Sequence, residues 1–355
     1  MTGAAQVVIH GSGPAGAACA LALARAGVDG VHLMGRRDPF GGQGAIGESI
    51  PPDARGLLDR LGLWQAFLGQ GHEPCLGSCS TWGSATPGYN DYLLNPQGSG
   101  WHLDRGRFDA FLCRQADHAG VTLLPEEKSA PASQPRFVVD ATGRSSVLAR
   151  RAGARQIALD RLTFVYGFFD LPPAAVHSRL TFLEAVRDGW WYAAAIPGRR
   201  MAVAFASDAD TVRDASLARE SAWLRAAFST RQIAACLGGA RFVAASLVPR
   251  VVPSFLLDRV CGARWLAVGD AASCFDPLSA QGIYKALADG IAAAHAIAAA
   301  LATGSDLDVS YQHAVQSRFT EYLANRNYFY GLERRWPDAP FWQRRHARTA
   351  LGGVF

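Results

Sequence analysis

Lysine is nearly missing from this chain: Lys128 and Lys285 are the only two in 355 residues, although Lys and Arg together number 35. Arginine therefore carries almost all of the positive charge, the formal net charge is a modest +5, and no dense basic run occurs. That balance argues for a solvated surface and against a nucleic-acid partner. Cysteine is sparse and uneven in number, with residues at 19, 75, 79, 113, 236, 261 and 274. Cys75 and Cys79 are the one close pair, and no His/Cys cluster completes a metal site, so no metal is expected. The odd count, and a first strand that begins within about six residues with no basic-then-apolar segment before it, lead to the expectation of a reducing cytoplasm. Unbroken hydrophobic runs are lacking as well. The longest, Gly282 to Ala302, contains Lys285, Asp289 and His295, and it reads as a buried helix rather than a membrane span.

What is present is apolar and ordered. Hydrophobic residues make up 49 % and charged residues 18 %, enough to bury the cores of two domains. Gln6 to His10 is a short apolar strand that runs into GSGPAG, Gly11 to Gly16. An alanine-rich helix then extends to about Ala26, and a second strand covers Val31 to Met34. Strand, glycine turn, helix and strand in this order make a dinucleotide-binding unit. Gly11 makes the tight turn, Gly13 lets the backbone approach a pyrophosphate, Gly16 lets helix pack on strand, and Pro14 and Ala15 open the helix whose N-terminus faces the phosphates. One part departs from the pattern. The acid that normally ends the second strand and holds a ribose is replaced by Gly35, followed by Arg36 and Arg37; the backbone, or one of these arginines against the phosphate, has to serve instead.

Two further strand ends carry motifs. Phe137 to Val139 leads into DATG, Asp140 to Gly143, and Trp265 to Val268 leads into GDAASCFDPLSAQGI, which holds Asp270, Pro277, Gln281, Gly282 and Ile283. Asp270 is placed to take a ribityl hydroxyl, and the stretch Pro277 to Gly282 turns into a helix whose N-terminus can stabilise an anionic reduced flavin by roughly 1 kcal/mol. Between these motifs, Pro52 to Leu68 and Asp104 to His118 read as helices, Gly71 to Gly100 as sheet and loop, and Leu162 to about Val251 as mainly strands. The expected fold is α/β with an α+β second domain: a Rossmann-type FAD-binding domain (1–70, 101–160 and 255–305) interleaved with an antiparallel-sheet substrate domain (71–100 and 161–254), then a helical C-terminal segment (306–355).

GSGPAG, GESIPP, DRGRFD, DATGRSS and GDAASCFDPLSAQGI, in this order along essentially the whole chain, resemble the p-hydroxybenzoate-hydroxylase-type flavoprotein superfamily and its relatives, the flavin-dependent tryptophan halogenases. The resemblance implies FAD as cofactor, with Gly47, Glu48 and Ser49 beside the isoalloxazine, Arg105 in contact with FAD and Asp270 on the ribityl chain. SCSTWGS, GWHLDR, DGWWYAAAIP and ERRWPDAPFWQRR are similar to one subfamily, the flavoprotein monooxygenases that mature tryptophylquinone-containing amine oxidases and dehydrogenases. That similarity implies hydroxylation of a tryptophan in a partner polypeptide, a quinone-enzyme precursor subunit, through a flavin C4a-hydroperoxide. Two departures from the halogenases count against halogenation. No lysine lies between Pro51 and Arg105, and the W-x-W-x-I-P box keeps only Ile196 and Pro197, with Tyr192 and Ala194 at the tryptophan positions. The segment Val121 to Arg136 is also short, which truncates the usual excursion there.

Such chemistry needs a dry aromatic pocket. Trp82, Trp101, Trp190, Trp191 and Tyr192 are candidates for its lining, as well as for ordinary core packing. Glu48, His72 and His102 are candidates for the base or hydrogen-bond donor that loss of a ring proton requires. The Tyr328–Trp342 cluster, which includes Trp336, either docks a polypeptide or packs on the body of the protein. Electrons come from NAD(P)H, directly or through a flavin reductase, because no second nucleotide motif is present; O2 is the other substrate. The alternatives are a small-molecule aromatic hydroxylase or halogenase and, in another class, a flavin reductase or a non-catalytic flavin-binding partner.

Overall fold

Two large sheets share the molecule, and the register of the first decides where the motifs meet. A computed structural model describes residues 6–35, 49–125, 134–173 and 177–350. The first sheet has six strands in the order Cys261–Gly262, Trp265–Ala267, Phe137–Asp140, Val7–His10, Val31–Gly35 and Thr122–Pro125. All neighbours are parallel except the first pair. His10 lies opposite Asp140, and Asp140 opposite Ala267. Three strands thus end at one level, each running into one of the three motifs, and the carboxyl ends of parallel strands are where such sheets bind ligands.

The glycine helix, Pro14–Arg25, covers one side of this sheet and packs against the alanine helix, Gly282–Thr303. Close approach is the reason for Gly290: a Cβ there would come 2.5 Å from the Ala15 carbonyl oxygen and 2.8 Å from the Cys19 nitrogen. Among the described residues the alanine helix alone is long and apolar enough to cross a bilayer. Here Ala293, Ala294 and Ile297 are fully buried in the core between helix and sheet. The segment expected as one helix, Pro52 to Leu68, is two, Ala54–Arg60 and Trp64–Leu68. Gly62 separates them at φ +60°, a left-handed conformation that ends a helix cheaply only at glycine.

The second sheet runs Ser273–Cys274, Val248–Leu257, Gln156–Asp170, Arg200–Asp208, Gly189–Ile196, Leu180–Val186, Gly77–Thr81 and Gly88–Asp91, with Arg241–Phe242 paired to Gln156–Asp170. Its pleat sorts alternate residues to opposite faces. Trp190, Phe164 and Ala204 turn toward the first sheet, whereas Trp191, Val165, Val203 and Phe205 form a separate core with Trp223 and Phe169. A small antiparallel sheet, Ser49–Ile50, Gly100–His102 and Glu73–Cys75, bridges the two halves. The C-terminal helices, Ser310–Leu332 and Pro340–Ala350, close the molecule over the second sheet.

Candidate active site

A cavity of about 530 Å³ opens where the three motifs converge, and it is lined by Gly13, Pro14, Ala15, Gly143, Asp270 and Pro277 among others. The three glycines of the first motif behave as their roles require. A Cβ at Gly11 would sit 2.1 Å from the Ala141 carbonyl oxygen, and one at Gly16 would sit 1.9 Å from the Gly11 carbonyl oxygen. At Gly13, which faces the cavity, a Cβ would meet nothing within 4 Å among the described residues. The backbone is therefore bare toward the cavity and packed tight behind it. The helix beginning at Pro14 leaves its first amides without intrahelical partners, a site for a diphosphate. Arg105, Arg144 and Arg250 add positive charge to the same walls.

The acid missing after the second strand has a geometric counterpart. A Cβ at Gly35 would meet the Ser12 hydroxyl oxygen at 2.1 Å and the Ser12 Cβ at 2.3 Å. The side chain of Ser12 occupies the space that a residue larger than glycine would need. Arg36, Arg37, Gly47 and Glu48 lie outside the described residues.

The far wall of the cavity belongs to the turn before the alanine helix. Asp270, Pro277, Gly282 and Ile283 face the cavity, and Gln281 faces a neighbouring one. Lys285 donates to Asp270 at 3.1 Å and also to the Ser273 carbonyl, which fixes the Asp270 carboxylate. Asp276 is wholly buried and caps the turn by accepting from the Leu278 N–H at 2.9 Å. Tyr330 donates its hydroxyl to Asp276 at 2.7 Å, and Trp190 donates its ring N–H to the Tyr330 oxygen at 3.1 Å. Burial pushes the Asp276 carboxyl above its ordinary range, against the pull of the nearby Arg326 cation. This line of polar contacts ties the second sheet and the long C-terminal helix to the turn beneath the cofactor. Trp190, Tyr192, Phe164 and Phe275 supply the aromatic wall, and the Tyr192 hydroxyl lies 3.1 Å from the Ser49 hydroxyl.

A second cavity, about 570 Å³, lies on the other side of Ser49, Phe275 and Ala280, which line both. Ser78, Ser80, Asn90, Thr181 and Trp82 are on its walls. Trp82 donates its ring N–H to the Phe329 carbonyl at 2.7 Å.

Several expected site residues are placed elsewhere. Asp140 is 1 % exposed and lines neither cavity. Its two carboxylate oxygens accept from the Thr142 N–H and hydroxyl and from the Leu148 and Ala149 N–H groups at 2.6–3.0 Å. It clamps the DATG turn and has no oxygen aimed at a cofactor. His72 accepts from the Asp104 N–H at 3.3 Å and packs on Phe67, while His102 contacts the Thr181 hydroxyl at 3.0 Å. Neither lines either of these two cavities, and burial holds both imidazoles down to about 4, so they are neutral packing residues. Trp191 is on the wrong face of its strand, 4.9 Å from Phe205 and 5.4 Å from Trp223. Trp101 packs edge-on against Phe67 at 5.3 Å in the small sheet. Trp342 is fully buried, with Trp336 stacked on it at 6.1 Å, so this end of the cluster is core, whereas Tyr328 and Phe329 at the other end are exposed. Sequence reading did not single out Arg250 or Phe164; Arg144, Phe275, Ser78 and Ser80 lie in quoted motifs and Tyr330 in the C-terminal aromatic cluster, but none of them was given a place in a cavity or in the contacts of Asp276.

The residues present fit FAD: a bare glycine turn for the pyrophosphate, arginines about it, a fixed carboxylate at Asp270, and a helix N-terminus at Gly282 for the isoalloxazine edge. Comparisons with known proteins agree. No family model matches the chain. The FAD-dependent oxidoreductase LodB of Marinomonas mediterranea is 32 % identical over 98 % of this chain and 98 % of its own length. Among solved structures, the flavin-dependent halogenase CmlS superposes with a TM-score of 0.81 at 24 % identity, covering 99 % of this chain and 70 % of its own. QhpG, a peptidyl tryptophan dihydroxylase essential for tryptophylquinone cofactor biogenesis, gives a TM-score of 0.72 at 24 % identity, covering 96 % and 78 %. These two structures bear on the fold alone. The whole-length match to LodB and the geometry of the cleft together place this protein in the LodB-like family of FAD-dependent oxidoreductases, on the fold that flavin-dependent halogenases share.

Proposed function

We propose that the protein is a flavin-dependent monooxygenase that hydroxylates the ring of a tryptophan held in a partner polypeptide, as a step in building a protein-derived quinone cofactor. The observation that carries this reading is the second cavity. It adjoins the flavin cleft across Ser49, Phe275 and Ala280, and its walls carry hydroxyl and amide groups together with the charges of Asp53, Lys285, Arg318 and Glu321, which suits a substrate with peptide groups as well as a ring. Bound FAD supplies the activation of O2, with electrons from NAD(P)H directly or through a reductase. The chain itself keeps the cleft dry with Phe164, Trp190, Tyr192 and Phe275, and water exclusion is what oxygen insertion requires. The named activity of QhpG, on a fold of the same kind, supports the reading.

Halogenation fits less well. Lys285 is the one lysine among the described residues, and its ammonium is committed to Asp270 and the Ser273 carbonyl. The test is to supply reduced enzyme with isotopically labelled O2, chloride and either N-acetyltryptophanamide or a tryptophan-containing peptide. One labelled oxygen on the tryptophan of the peptide is expected by mass spectrometry. Chlorine on the ring would establish a halogenase instead. Unmodified tryptophan with steady consumption of reductant would point to a reductase.

A further inference from the structure

The outermost strand of the second sheet, Gly88–Asp91, is exposed along all four residues and, among the described residues, has one neighbour, Gly77–Thr81. The strand, GYND, has no lysine or proline within it; Pro87 precedes it and Asp91 is its one charge. The Tyr92 N–H points inward to the Leu76 carbonyl at 2.9 Å. Strand alternation therefore turns the N–H and C=O groups of Asn90 inward as well, and those of Tyr89 and Asp91 outward. The same alternation puts the side chains of Asn90 and Tyr92 on the face shared by Ser78 and Ser80, and all four line the second cavity. Phe329 and Leu332 from the helix Ser310–Leu332 line the same cavity. In and just after the strand, Tyr89, Leu93 and Leu94 are 70 %, 87 % and 91 % exposed, large apolar residues left uncovered on a surface.

We propose that the Gly88–Asp91 edge is the docking strand for the substrate polypeptide, which adds to the sheet in extended form and so delivers its tryptophan into the second cavity. An added strand takes backbone hydrogen bonds from Tyr89 and Asp91, and every second side chain then points to the face of Ser78, Ser80 and Asn90. A ring delivered there faces the Ser49–Phe275–Ala280 wall of the flavin cleft. Leu93 and Leu94 cover the apolar residues that flank it. This rests on the reading that the substrate is a polypeptide, and it adds where and how that chain is held.

The experiment uses the full-length, FAD-loaded protein and a short synthetic peptide of alternating threonine and valine with one central tryptophan. Backbone amide exchange at Tyr89 and Asp91 should slow by roughly tenfold or more when the peptide is added. A second peptide, N-methylated on alternate backbone nitrogens, should bind about tenfold more weakly or worse. Tyr89→Pro removes one outward N–H and leaves the inner ladder intact; it should weaken the peptide similarly without changing flavin binding. No saturable binding, equal binding of the N-methylated peptide, or binding without slowed exchange at these two amides would overturn the proposal. Slowed exchange on raising protein concentration alone would assign the edge to a second copy of the chain instead. Oxygen gain on the tryptophan is scored separately. Slowed exchange without oxygen gain sinks the hydroxylase and keeps the docking strand, whereas oxygen gain without slowed exchange does the reverse.

Discussion

The two cavities are neighbours of nearly equal size, yet they are made of different material. The flavin cleft is largely backbone: glycine turns, helix ends and three strand ends brought level by sheet register. The second cavity is made of single side chains from separate segments, with Ser78, Asn90, Thr181, Lys285 and Phe329 each contributed by a different element. A backbone site tolerates little change, because its atoms cannot move without moving the strands behind them. A side-chain site can be altered one residue at a time. The first suits a cofactor of fixed shape, and the second can change what it holds without disturbing the first.

That contrast can be broken most directly at Gly16. Gly16→Ala forces a Cβ to 1.9 Å from the Gly11 carbonyl oxygen, and the strain is expected to cost several kcal/mol, of the order of 4. Loss of bound flavin, together with a markedly lowered unfolding midpoint in denaturant, is the expected result; a variant that retains FAD would show that the turn is looser than described. A smaller effect concerns pH. Burial lowers the folded-state value of His102 to about 4, below that of the unfolded chain. The unfolded state therefore takes up a proton first as pH falls. The stability is intact above the unfolded value of about 6.5 and drains away between there and about 4, by up to roughly 3 kcal/mol. His102→Asn should flatten this part of the Tm–pH curve, and an unchanged slope would place the titration elsewhere. The smallest effect sharpens the separation of the cavities. Trp82→Phe removes the hydrogen bond to the Phe329 carbonyl and should cost about 1 kcal/mol in stability. Peptide binding should weaken while FAD affinity stays the same, and equal loss of both would mean that the two cavities act as one.

The same division explains what could be read from the sequence. Glycine spacing reports backbone geometry, so the first sheet, the glycine helix and the two later turns were legible as motifs. Asp140 was misleading because an acid at the end of a strand looks alike whether it reaches a ligand or caps the next turn; only the four donors around it decide. Trp190 and Trp191 could not be separated, since the strand Gly189–Ile196 is buried on both faces and offers no polar alternation to set its parity. Ser78 and Ser80 lie in the SCSTWGS stretch, but nothing in that stretch says that they line a cavity, and the sheet pairing that collects its walls joins residues about a hundred positions apart, as in Thr181 beside Ser78.

Ser12 and Gly35 carry a consequence for how relatives of this chain can diverge. The serine side chain stands where a β-carbon at 35 would be, so the two positions form a single decision. An acid can return to 35 only after 12 has become glycine, and the opposite order passes through a chain whose nucleotide turn has been wedged apart. A single substitution at either position is thereby constrained by the residue at the other.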